Sequence, residues 1–159
     1  MWNAVTYFNA LNGKLKITKD NYTFCRVTGI NYLEEILSSP QSAKSFLAVD
    51  DTDEGVTVQN GGGYFNRRAV VVYILKKYDF KSQTDREEKT NETRLIYQKI
   101  LSRLIKDSSL IAELNFLDKT RFPYHEVPGY FAAGTTGIYF TLTLDEPTNL
   151  VYDAEDWES

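Results

Sequence analysis

Apolar positions along the chain change their spacing several times, and each change marks a predicted element. Trp2, Val5, Phe8 and Leu11 recur at helical spacing and Asn12-Gly13 closes the run, which predicts a short amphipathic helix. Leu15, Ile17, Tyr22, Phe24 and Val27 alternate in part and break at Asp20-Asn21, a pattern that predicts a hairpin or two short strands over 15–30. Helical spacing returns with Tyr32, Leu33, Ile36 and Leu37, with Asn31 as the expected N-cap, Glu34 three residues on, and a stop before Pro40.

In the middle of the chain, Ser45–Val49 and Gly55–Gln59 read as short extended pieces around a polar turn, and Gly61-Gly62-Gly63 punctuates the chain ahead of a long strand. Tyr64 to Tyr78 is rich in β-branched and aromatic residues, and Ala69–Leu75 is apolar at every position, as a central strand covered on both faces requires. Unbroken, such a strand reaches about 50 Å, enough to overhang the core. Asp85 to Lys106 carries one apolar helical stripe, Tyr97, Ile100, Leu101 and Leu104, flanked by Ile96 and Ile105. Its first two turns are polar, so Glu87, Glu88, Lys89, Asn91, Glu92 and Arg94 are expected in water or against a partner. Leu114–Phe116 and Arg121–Val127 read as extended, and Gly137–Leu144 alternates apolar and polar residues as a closing strand. The sum is an α+β domain over residues 1–145: a mixed, mainly antiparallel sheet with a long central strand, packed by one long helix and shorter N-terminal helices. Residues 146–159 form an acidic C-terminal tail.

Composition narrows the function classes. A chain of 159 residues fits one domain. The single cysteine, Cys25, excludes an intramolecular disulfide and a cysteine metal cluster, and is expected as a small buried thiol. No apolar run approaches the ~18 residues of a membrane span and the start lacks a signal-peptide pattern, so a soluble cytoplasmic protein is expected. Net charge is −4, but residues 145–159 hold six acids and no base, leaving 18 bases against 16 acids elsewhere. A nearly neutral body exerts little pull on a phosphate backbone, so nucleic acid is not an expected partner.

Candidate chemistry is sparse. Asp50-Asp51-Thr52-Asp53-Glu54-Gly55 imitates a calcium loop, yet setting Gly55 at the sixth position leaves Gly61 where a bidentate acid is needed, which favours a polar turn. Gly61-Gly62-Gly63 precedes a strand, so no helix N-terminus faces a phosphate. His125, the one histidine, has no nucleophile at a diagnostic spacing. Arg67 and Arg68, beside Tyr64 and Phe65, could stack on bases, but the weak positive field favours salt bridges or subunit contacts. No catalytic, cofactor or metal residue is assigned, no cofactor is expected, and the chain is read as a non-enzyme. A monomeric protein-binding module and a small enzyme of unrecognised type stand as alternatives.

In order, a short helix, the segment Phe46-Leu47-Ala48-Val49-Asp50, a glycine-containing loop, the strand Arg67 to Leu75, the helix Asp85 to Lys106 and a strand ending Thr141-Leu142-Thr143-Leu144 resemble the tail-terminator and tail-completion proteins of long-tailed bacteriophages. Gly63-Tyr64-Phe65-Asn66-Arg67-Arg68 running into an aliphatic strand, then Lys76-Lys77-Tyr78-Asp79-Phe80 and the charged helix, is similar to minor tail proteins of prophage origin. The resemblance covers residues 30–145 by architecture. It implies a hexameric ring that caps the tail tube and meets the head-neck complex, in the host cytoplasm during assembly and in the virion tail afterwards. Its partners would be copies of itself and other tail or neck proteins, with no small-molecule substrate, cofactor or membrane. Ring subunits meet through unlike surfaces. The candidate contacts are Tyr64, Phe65, Arg67, Arg68, Glu88, Glu92, Arg94, Tyr124, Tyr130 and Phe131.

Overall fold

A computed structural model describes residues 2–39, 44–51, 55–128 and 134–158. The elements are α1 (Ala4–Asn12), β1 (Thr23–Val27), α2 (Ile30–Ser38), β2 (Ser45–Asp50), β3 (Gly55–Asn60), β4 (Gly63–Lys77), α3 (Gln83–Asp107), β5 (Tyr124–Glu126) and β6 (Thr135–Thr148), with 3₁₀ turns at Ala112–Phe116 and Ala154–Asp156. One sheet runs β1-β2-β4-β6-β5, and β3 lies beside β4. Among the described residues only β1 and β2 pair in parallel. The fold is therefore α+β, with a mainly antiparallel sheet around a long central strand.

β4 organises the molecule. Its later half pairs with β2 from Val71 to Lys76, its earlier half with β3 from Gly63 to Arg68, and its whole length from Tyr64 to Lys77 with β6. Alternate side chains pack on opposite faces. Val70, Val72 and Ile74 join Leu47, Val49, Phe140 and Leu142 under α1 and α3, which contribute Phe8, Leu11, Ile96, Ile100 and Leu104. On the other face Tyr73 and Leu75 join Phe46 and Ala48 beneath Leu33 and Leu37 of α2. Each such fully buried aliphatic or aromatic side chain contributes roughly 1.5–3 kcal/mol.

Local chemistry sets the boundaries. The Ser82 side chain accepts the Asp85 N–H (3.1 Å), Asp85 accepts from the Asp79 N–H (2.7 Å), and Lys89 pairs with Asp85 one turn on (2.8 Å), which starts α3 where the apolar stripe has not yet begun. Between β3 and β4, Gly61 and Gly62 hold φ of 58° and 90° as a two-residue loop, the positive pair that a tight hairpin of type I′ needs.

Several expectations are corrected. Residues 15–30 do not form a hairpin: turns lead to the single strand β1, whose partner β2 lies beyond α2. Parallel strands require a crossover, which α2 supplies. Helix α2 begins at Ile30, so Asn31 is inside it, and Gly29 occupies the cap with φ 83°. Leu114–Phe116 is a 3₁₀ turn rather than a strand, and of Arg121–Val127 only Tyr124–Glu126 is extended. The polar half of α3 also packs on the sheet: Thr90 and Thr93 are buried, and the Thr90 and Thr136 hydroxyls bond at 2.6 Å. Ile105, expected to flank the stripe, is exposed. Finally, β6 runs to Thr148, so Glu146, Pro147 and Thr148, expected at the head of the tail, are strand residues.

Candidate assembly surface

The sheet continues past its helices. No residue of β3 is buried, nor is any of the first five of β4, whereas Val70, Val72, Tyr73, Ile74 and Leu75 all are. β3, the start of β4 and the end of β6 thus form a three-stranded ribbon extending from the core. Among the described residues β3 pairs only with β4, so its outer edge is unpaired. Val56 and Tyr64 are 55% and 42% exposed on this ribbon, and Phe65 is half-buried.

The two arginines on it are committed within the chain. Arg67 faces Asp145 across β4 and β6 and grips it with two bonds of 2.7 Å, which hold that carboxyl below the usual range. Arg68 is buried on the opposite face. Its guanidinium donates to the Trp2 carbonyl and pairs with Glu146 (3.3 Å), which also accepts the Trp2 N–H (3.1 Å). This clamp fastens the chain leading into α1 to the sheet, so Arg68 acts as a structural residue.

The remaining candidates are scattered. Glu92 accepts from Lys76 (2.6 Å) and from the Tyr22 hydroxyl (3.1 Å), tying α3 to β4 and the start of β1. Burial first, then the Glu92 charge, pushes the Tyr22 pKa upward. Arg94 pairs with Glu126 of β5 (2.6 Å) and also meets Asn91. Glu88 is exposed, and Tyr124 is exposed while its ring packs 5.2 Å from that of Tyr97. Tyr130 and Phe131 lie outside the described residues. Tyr64, Phe65 and Arg67 therefore share the ribbon, and Glu88, Glu92, Arg94 and Tyr124 sit at α3 and β5.

Other sequence candidates have structural partners. Asp50 accepts the Gly29 N–H (3.0 Å) and Asp51 pairs with Arg26 (2.9 Å), while Thr52–Glu54 lie outside the described residues. His125 is exposed and stacks on Tyr139 at 5.1 Å. Cys25 is half-buried, and burial pushes its thiol up to about 11, away from reactivity. Among the described residues no three His, Cys, Asp or Glu side chains gather as a metal site. No helix of the described residues is long and apolar enough to cross a membrane.

Two concave features went unread in the sequence. A polar hollow of about 240 Å³ is lined by Gln83, Arg86, Glu87, Thr90, Arg94 and Glu126, with Arg94 and Glu126 paired to each other. An apolar-floored cleft of about 270 Å³ lies between α1 and the end of α3, where Ala10, Leu11, Leu15 and Ile111 meet Lys14, Lys99, Arg103 and Asp107. Inside it Asp107 accepts from the Tyr7 hydroxyl and from Arg103, both at 2.8 Å. Burial alone would raise the Asp107 pKa, but these donors outweigh it and hold the carboxyl low. The available signal was the four-residue spacing of Lys99, Arg103 and Asp107 along one helix face. The chain matches no family model, and comparison with curated proteins finds no relative.

Proposed function

We propose that the protein is a structural assembly subunit that associates with copies of itself into a ring, in the role of a tail terminator or neck component of a phage or prophage tail. The β3–β4–β6 ribbon carries this reading. The unpaired edge of β3, on a ribbon that also exposes Val56 and Tyr64, is a template for another chain, and soluble proteins normally blunt such edges. A neighbour that adds to this edge with a different part of its own surface makes a head-to-tail contact, and such contacts close into rings when the rotation allows. The order of elements, with its long overhanging strand, supports the tail-protein role in particular.

Size-exclusion chromatography with light scattering, followed by negative-stain electron microscopy, tests the reading. The expected result is a closed oligomer, and a Val56→Lys, Tyr64→Lys variant that is folded but associates at least about tenfold more weakly. A wild-type chain that stays monomeric at its highest soluble concentration, alone and with candidate tail proteins, overturns it.

A further inference from the structure

The last described stretch, Asn149 to Glu158, exposes an unusual combination of side chains. Leu150, Val151, Tyr152 and Trp157 are 56%, 81%, 71% and 67% exposed. Asp153, Glu155, Asp156 and Glu158 lie among them with no base. The segment is also shaped. Asp153 accepts the Glu155 N–H (3.0 Å) and caps the 3₁₀ turn Ala154–Asp156, which brings the Tyr152 and Trp157 rings into a stack with centroids 6.1 Å apart. Exposed aromatic pairs held in place at little entropic cost mark binding segments.

The cleft between α1 and α3 has the complementary character. Its floor is apolar, and its charged lining is three cations, Lys14, Lys99 and Arg103, against the single anion Asp107. Asp107 is buried and already engaged by Arg103 and Tyr7, so it presents little negative charge outward. Lys14 and Lys99 are exposed and have no acidic partner among the described residues. About 270 Å³ is smaller than the ~300–1,000 Å³ of a typical small-molecule site and suits one or two inserted side chains.

We infer that this cleft is the docking site for the acidic-aromatic segment 149–158 of a second copy of the chain, with Trp157 or Tyr152 on the apolar floor and the flanking acids on Lys14 and Lys99. The inference rests on the assembly reading and adds a named contact to it. Segment and cleft are unlike surfaces on one chain, which is what a head-to-tail contact requires. Opposite charges on the two fix register and partner choice.

Carbodiimide, which joins carboxylates to lysine amines at zero length, probes the contact directly. A one-to-one mixture of unlabelled and ¹⁵N-labelled full-length protein, equilibrated, cross-linked and digested, is read by mass spectrometry. The expected products are mixed-isotope peptides joining Asp153, Glu155, Asp156 or Glu158 to Lys14 or Lys99. Alongside, full-length Trp157→Ala and Lys14→Glu, Lys99→Glu variants are expected to self-associate about 30-fold more weakly. All three positions are exposed, so circular dichroism and melting should match wild type. Links of a single isotope type, meaning docking within one chain, overturn the inference. So do an oligomer without these links and variants that associate like wild type, both of which leave the assembly reading standing. A monomeric wild type overturns both together.

Discussion

Gly137 shows how tightly single positions constrain this fold. It opposes Leu75 across β4 and β6 with φ 151°, and a Cβ built there would collide with the Ile74 carbonyl oxygen, a backbone atom that cannot rotate aside. Gly137→Ala is therefore expected to cost roughly 2–3 kcal/mol, combining backbone strain with overpacking against the buried part of β4. Urea unfolding measures this, and a loss under about 0.5 kcal/mol would contradict the geometry. In the sequence Gly137 marked only the start of a strand. The pairing of Arg67 with Asp145 and Arg68 with Glu146 was equally hidden, because 78 residues separate each pair. The linear pattern placed Glu146 in a tail and left the arginines open to subunit contacts, whereas the register of β4 on β6 sets each beside its acid.

Among the elements, the clamp on the chain leading into α1 is the most consequential local device. Arg68 and Glu146 together satisfy both backbone groups of Trp2, whose indole is buried beside Tyr7 and Phe8. Arg68→Ala leaves Glu146 partly buried without its cation and the Trp2 carbonyl without this donor, an expected loss of roughly 2–4 kcal/mol. Replacing both side chains by Leu should recover only part of it, because the Trp2 peptide groups still lack partners. Chemical denaturation gives the energies, and hydrogen exchange should show Tyr7 to Leu11 opening first in Arg68→Ala. Unchanged exchange in α1 would refute the clamp. Elements whose partners are implied by their own pattern were legible: α3, the apolar half of β4 and the alternating part of β6. Residues 15–30 and 114–116 were not, for different reasons. β1 finds its partner only across a crossover helix, and Leu114 with Phe116 imitates strand alternation inside a 3₁₀ turn.

At the scale of the whole molecule, stability is divided unevenly along β4, and the division bears on assembly. Residues 70–75 lie between two buried clusters, whereas the ribbon from 55 to 67 rests on backbone pairing and a few exposed side chains. Local opening draws on the parts with least buried surface, so ribbon amides should exchange orders of magnitude faster than those of Val70 to Leu75 in a dilute sample. Assembly through the β3 edge changes this selectively. A strand or loop from a neighbour supplies the missing backbone partners and covers Val56, so protection at 55–67 should rise at least about tenfold with protein concentration while that of the core stays constant. Native-state hydrogen exchange at two concentrations spanning the light-scattering transition separates the possibilities. Equal protection at both, in a sample that does oligomerise, would move the interface away from the ribbon and onto other surfaces, the cleft between α1 and α3 first among them.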